Sequence, residues 1–288
     1  MLKYKIMETE KNKKIENIIS KTLDVPSRSQ IVYKVLNLLN DEYLSIDELE
    51  SFISRDKGFT ARFLRIANSP FYGLTRKVKT LKDSLLLIGI NTAKSLILAT
   101  SSRYLYKNFG PFEQKLYEHS LAVGLCSSLL SNYTKTIKPE EALACGILHD
   151  LGKIFINNSM PEKYQRIYEK IHETEKSVIE LEDENLGINH CEIGANVAEK
   201  WNYPDEIKII LQYHHANKYP QQVENSCLDI CNIVKVANKI SWKLGIGFKK
   251  DLKIDIDLLD FGIENKNLED IENLFISYYE SQKNFLLK

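Results

Sequence analysis

The chain has 288 residues with 39 Lys+Arg against 39 Asp+Glu, so its formal net charge is zero. That balance speaks against wholesale binding to nucleic acid or to a membrane surface. Hydrophobic residues at 43% supply a real core, and only 12 Gly and 7 Pro favour helices over a turn-rich β fold.

The opening stretch, Met1 to Lys14, mixes charges with no apolar core behind them, which excludes a signal peptide. Residues 1–25 are set apart as an N-terminal segment of helical character. Ser45-Ile46-Asp47-Glu48 is a capping box opening a helix through Leu49, Phe52 and Ile53. A second helix starts near Gly58, carries Phe59, Phe63, Leu64 and Ile66, and stops before Asn68-Ser69-Pro70. Residues 68–74 (NSPFYGL) form a turn with two adjacent aromatics, Phe71 and Tyr72, read first as glue between two halves and second as a partner surface. The basic run Arg76-Lys77-Val78-Lys79 reads as a solvated loop. Thr80 opens a helix that Gly89 ends, and Asn91 caps the next one through Ala93, Leu96, Ile97 and Tyr104. The apolar run Leu85 to Ile90 is far too short to span a bilayer.

After Gly110-Pro111 the pattern changes, which places a boundary near residue 112. Two helical subdomains are expected, 26–112 and 113–288. Leu116 to Tyr133 is a helix carrying His119 among apolar residues. Pro139 opens a helix whose stretch Ala142 to Leu148 is almost wholly apolar and must be buried, with His149-Asp150 at its end. His190, Ile193, Gly194, Val197, Ala198 and Trp201 share one helical face, so His190 points inward. Ile207, Ile210, Leu211 and His214 do the same for His214, and His215 lies about 100° further round. Ile254 to Leu287 is read as helical. The five cysteines, Cys126, Cys145, Cys191, Cys227 and Cys231, are odd in number and apolar in setting, which predicts reduced buried thiols in a cytoplasm.

His119, His149, Asp150, His190, His214 and His215 therefore converge as one candidate metal set, with His172 outside it. Imidazole is the commonest metal ligand, and a carboxylate can bridge two ions. Such a set suits hydrolysis of a phosphate ester, because a metal lowers the pKa of bound water and clamps phosphoryl oxygens. Asp150 and Lys153 are the candidate catalytic groups: Asp150 bridges, and Lys153 either neutralises substrate phosphate or is a solvated lysine one turn past the pair.

The stretch Gly146 to Lys153, with its His149-Asp150 pair, resembles the HD superfamily. More closely, the chain from about Pro26 resembles the HDOD (HD-related output domain) family. The likeness is carried by residues 53–56 (ISRD), 64–73 (LRIANSPFYG), Glu118 to Val123, residues 186–194 (LGINHCEIG), residues 201–204 (WNYP) and His214-His215. The resemblance implies an all-α protein: an HD-like helical bundle with an N-terminal helical subdomain, bacterial, cytoplasmic and active in signal transduction. The related HD-GYP enzymes hydrolyse cyclic di-GMP with two or three metals. Against their pattern this chain has Lys115 where they carry a Glu one turn before the first His, and Asn238 at the best match to their last Asp. The GYP signature is missing, since His214-His215 is followed by residues 216–220 (ANKYP). Two lost carboxylates imply a weakly bound divalent metal (Fe, Mn, Mg, Ni or Zn). The expected role is a regulatory output protein that binds a signalling protein or a small nucleotide-like ligand, with metal-dependent phosphohydrolysis as the alternative.

Overall fold

A computed structural model of the chain describes residues 2–23, 43–55, 57–68, 77–134, 137–171, 173–216, 218–221, 223–248, 254–258 and 267–286. Among these the regular structure is helical throughout, without a strand. No described helix is long and apolar enough to cross a membrane.

Local chemistry explains where most helices begin. In the N-terminal half, α1 (Leu2–Leu23) is followed by α2 (Ile46–Ser54), α3 (Lys57–Ala67), α4 (Leu81–Ile88) and α5 (Ile90–Ser102). Ser45 accepts from the Glu48 N–H while the Glu48 carboxylate reaches back to the Ser45 N–H, which is the expected capping box. Thr80 caps α4 through the Asp83 N–H. The expected cap at Asn91 is corrected: Gly89, at φ 80°, ends α4 and stands at the N-cap of α5 without a side-chain bond. A glycine that tolerates positive φ turns the chain at once, so the helix starts one residue before Asn91. Asn68 fastens the end of α3 to the next segment: its amide donates to the Leu64 and Val78 carbonyls, and the Val78 N–H donates to its oxygen. Lys77 and Lys79 are exposed beside the buried Val78. Ser69 to Arg76, with Phe71 and Tyr72, lie outside the described residues.

The second half holds α6 (Pro111–Thr134), α7 (Pro139–Leu148), α8 (Leu151–Ser159), α9 (Pro161–Ile171), α10 (Val178–Leu186), α11 (His190–Lys200), α12 (Asp205–Tyr213), α13 (Asn225–Leu244) and α14 (Leu268–Leu286). Helices α6 and α7 pack most closely, because Gly124 and Gly146 face each other. A Cβ on Gly146 would stand 2.7 Å from the Gly124 Cα. Helix α13 lies on α6, α11 packs on both α8 and α12, and α5 lies on α7. One apolar core runs from α1 to α14 across the expected boundary near residue 112.

Helix α1 docks on α8 and α11 through Ile15, Ile18, Ile19 and Thr22, a stripe at helical spacing. Its polar side adds a Lys11–Glu192 ion pair at 2.5 Å and a Lys14 bond to the Leu186 carbonyl. The reading of Ile254 onward as one helix is corrected at its start. Residues 254–258 are not helical: Ile256 and Leu258 are buried while Asp255 and Asp257 are exposed. That alternation has period two, which suits extended backbone. The helix begins only at Leu268. The five cysteines are buried, as expected.

Candidate metal centre

Each histidine is delivered by a helix whose packing the glycines allow. Helix α6 carries His119, and its tight contact with α7 brings His149 alongside, with ring centroids 5.7 Å apart. The His149-Asp150 pair occupies a two-residue turn between α7 and α8. Asp150 stands at the N-cap of α8 yet makes no side-chain cap bond, so its carboxylate is left for the pocket. Gly152 follows because nothing larger fits: a Cβ there would lie 1.9 Å from the carbonyl oxygen of His190. This contact sets the start of α11, and with it His190, against the Asp150 turn. His214 ends α12, its Nδ1 bonded to the Ile210 carbonyl at 2.8 Å, and His215 is the next residue.

All six candidate ligands meet around Asp150. Its Oδ2 lies 3.1 Å from His149 Nε2 and 3.8 Å from His119 Nε2. Its Oδ1 lies 3.4 Å from His190 Nε2 and 3.5 Å from His214 Nε2. Two ligand groups result, His119–His149–Asp150 and Asp150–His190–His214–His215, with Asp150 in both. His119, His149, His190 and His214 are each 1% exposed, and Asp150 is 4% exposed. His215 is half-buried. His172 lies outside the described residues.

Lys153 is not a solvated lysine. It is fully buried, and its Nζ lies 2.7 Å from Asp150 Oδ2. Asn238 shares a buried helical face with Val234, four residues back, and Cys231, seven back, and points inward, with its Oδ1 2.9 Å from His119 Nε2. Lys115, one turn before His119, is exposed.

Sequence reasoning missed Glu182. This carboxylate is fully buried, accepts from the His190 N–H at 2.9 Å, and lies 2.6 Å from His190 Nδ1. Its other oxygen accepts from the Tyr164 hydroxyl at 2.6 Å. The available signal was a charge in an apolar stripe, since Val178, Glu182 and Leu186 recur every four residues and are all buried. A carboxylate behind a histidine fixes the ring and leaves Nε2 facing the pocket.

Burial decides most of the protonation states. It holds His119 and His214 down at about 3 and His215 well below the usual imidazole value. Burial acts the same way on His190, but the Glu182 carboxylate overrides it and lifts this ring to about 10. Burial pushes Asp150 up, while His149 and Lys153 outweigh it and hold the carboxyl well below its usual range. For Lys153 burial is likewise overcome, chiefly by Asp150, and the ammonium is held well above its ordinary value.

The set suits a divalent ion. His215 Nε2 is buried without a hydrogen-bond partner, and the Asp150 oxygens meet imidazole nitrogens at 3.1–3.8 Å, distances at which an ion can stand between them. A mixture of imidazole nitrogens and carboxylate oxygen is borderline in softness and suits Fe, Mn, Ni or Zn.

A family model for the HDOD domain matches residues 25–217, well over half the chain. The chain belongs to the HDOD family. The match covers all six candidate ligands and Lys153, and leaves out α1, Asn238 and α14. Among solved structures, an HDOD domain protein of unknown function from Geobacter sulfurreducens superposes with a TM-score of 0.67 at 23% identity. It covers 90% of this chain and 89% of that one. A Shewanella amazonensis protein described as a candidate metal-dependent phosphohydrolase gives a TM-score of 0.60 at 14% identity, covering 96% and 99%. These likenesses establish the shared HDOD fold. Among curated proteins, ribonuclease Y of Mycoplasma genitalium is 26% identical over 244 residues, 82% of this chain but 38% of that one. An uncharacterised Treponema pallidum protein is 19% identical over 210 residues, 73% of this chain and 41% of that one. This HDOD chain thus spans about two fifths of the length of these curated relatives.

Proposed function

We propose that this HDOD protein is a regulatory output protein whose HD-type pocket binds a small anionic ligand, with a divalent metal held weakly and little or no turnover. The observation that carries this reading is the Lys153–Asp150 ion pair at 2.7 Å. Asp150 is the one carboxylate in the ligand set, and a buried lysine already neutralises it. At the position where HD-GYP relatives offer a last Asp, Asn238 is hydrogen-bonded to His119 and brings no charge. An ion of charge two therefore gains little net attraction and competes with Lys153 for Asp150.

His119, His149, His190, His214, His215 and Asp150 would hold the ion. When bound, it would supply an activated water and a clamp for phosphoryl oxygens. The chain's own part is better defined. Glu182 orients His190, Gly152 lets that histidine approach Asp150, and Lys153 offers a buried positive charge to a phosphate. The burial of the set excludes bulk water.

Metal-dependent phosphohydrolysis is the second reading. It is favoured by Asp150 belonging to both ligand groups, and by the similarity to ribonuclease Y and the shared fold with a protein described as a candidate metal-dependent phosphohydrolase. The deciding experiment combines Mn²⁺ titration by calorimetry with a phosphodiester hydrolysis screen on the parent and on Asp150→Ala. The output reading expects weak Mn²⁺ binding and no turnover above the Asp150→Ala background. Turnover that disappears in a well-folded Asp150→Ala variant would make this an enzyme.

A further inference from the structure

The pocket is nearly closed: Asp150, Lys153, His119, His149, His190 and His214 are buried, and His215 is half-buried. A ligand that reaches Asp150 therefore needs a cover to move. The cover over His119 is the segment following α13. Gly245, at φ 73°, ends the helix, and Gly247, at φ 83°, lies flush on α6. A Cβ on Gly247 would stand 2.6 Å from the Lys115 carbonyl oxygen and 2.9 Å from His119 Cβ. The next residue, Phe248, is half-buried, as is Trp242 one turn before the helix end. Two glycines flanking Ile246 give this segment backbone freedom that ordinary residues lack.

Phe248 is sandwiched between two ring faces. Its centroid lies 5.1 Å from that of Trp242 at 14° and 4.6 Å from that of Tyr168 at 28°. Among the described residues, both stacked pairs share Phe248. Neighbouring pairs such as Phe112–Tyr168 at 74° and Tyr164–Tyr168 at 73° meet edge to face. Stacked and edge-to-face pairs are both ordinary in an aromatic core, but two faces stacked on one ring have the arrangement in which aromatic side chains hold a flat ligand ring. The slot adjoins the pocket. The His119 ring lies 5.4 Å from Trp242 and 6.0 Å from Phe248, and Lys153 Nζ lies 5.8 Å from the Tyr168 ring.

We propose that the gap between Trp242 and Tyr168 is the ring subsite of a planar aromatic ligand bearing a phosphate, and that Phe248 is its built-in occupant, displaced when the ligand enters. The phosphate end rests on the reading of the pocket given above, with Lys153 and the histidines as its partners. The ring end rests on the slot alone. Phe248 then acts as an intramolecular competitor, which lowers the affinity for every ring that must replace it.

The test uses the full chain with Trp201→Phe, so that Trp242 is the one indole and reports on the slot by its fluorescence. Adenosine 5′-monophosphate, adenosine and inorganic phosphate are titrated separately with Mn²⁺ present, into this protein and into its Phe248→Ala and Phe248→Leu variants. Removing the competitor should tighten adenosine monophosphate about ten-fold, the scale of one stacking contact, with quenching of Trp242. Adenosine should gain similarly, inorganic phosphate less than about two-fold, and Phe248→Leu should fall between. If Phe248→Ala does not fold, the Leu variant decides. Adenosine monophosphate gaining no more than phosphate, or binding without quenching, overturns the slot and leaves the phosphate pocket standing. Failure of both adenosine monophosphate and phosphate to bind any variant overturns both readings.

Discussion

Glu182 holds His190 at two points, the backbone N–H and Nδ1, and spends its other oxygen on the Tyr164 hydroxyl. Removing it leaves the His190 ring and backbone N–H buried without their acceptor. Glu182→Ala is therefore expected to cost about 3–5 kcal/mol in urea unfolding, as for other broken buried pairs. Glu182→Gln keeps an acceptor oxygen and should cost less, while the His190 ring, followed by NMR, should titrate well below about 10. An unchanged His190 titration in Glu182→Gln would remove Glu182 as the cause. At the far side of the pocket, Asn238→Asp places a carboxylate next to His119. Mn²⁺ affinity should then rise by about 10–100-fold in calorimetric titration, the scale on which groups around a ligand act. No rise would mean that position 238 is out of reach of the ion.

At the scale of helices, the approach of α11 to α8 is set by backbone and not by side chains. Gly152→Ala drives a methyl group into the His190 carbonyl, 1.9 Å from where the new atom would be built. No rotamer relieves a clash at Cβ, so the helices must part. The expected cost is about 3 kcal/mol, the upper end for overpacking, with loss of Mn²⁺-dependent thermal stabilisation. A variant that melts like the parent and still responds to Mn²⁺ would show that the contact is not needed. Helix α1 offers a contrast between two kinds of contact on one element. The Lys11–Glu192 pair is 40% and 34% exposed, so Lys11→Ala should cost at most about 1 kcal/mol. Ile19 is 1% exposed, and Ile19→Ala should cost about 2–5 kcal/mol. Burial, not charge, holds α1 in place, and reversed magnitudes in thermal or urea melts would contradict this.

Over the whole molecule the buried histidines give the metal-free protein a stability maximum. His119 and His214 take up protons only near pH 3 when folded, His215 also well below its usual value, and an unfolded histidine does so at about 6.5. As pH falls below about 6.5 the unfolded chain binds protons that the folded chain refuses. Stability should then drop by up to about 1.4 kcal/mol per pH unit for each of the three groups. His190 has the opposite sign. Raised to about 10, its contribution is fully present below about 6.5 and is lost as pH rises through 10. Asp150, held low, keeps its contribution above its unfolded value of about 3.9 and loses it only at stronger acid. Urea unfolding of chelator-treated protein should therefore peak near pH 6.5, with the steeper fall on the acid side. A flat profile between about pH 5 and 6.5 would refute the neutral buried set.

The sequence by itself determined the helical class, the start of α2 at its capping box, the inward phase of His190 and His214, and the burial of the helix leading to His149-Asp150. These follow from spacing along one helix, where side-chain direction is fixed every 3.6 residues. The six candidate ligands and the inward Asn238 were legible on the same ground. Only the tertiary structure decided how Lys153 is spent, because a lysine one turn past an aspartate points to water or to the carboxylate according to what packs above it. It alone joined Glu182 to His190, since the loop between α10 and α11 folds a charge in an apolar stripe back onto the next helix. The start of α5 was missed because Gly89 reaches a backbone angle that makes a side-chain cap unnecessary. The extended stretch 254–258 was missed because a period-two pattern of five residues is too short to stand out before a long helix. The Trp242–Phe248–Tyr168 stack joins α9 to the end of α13 across the bundle, and no local pattern announces a contact between rings so far apart in the chain.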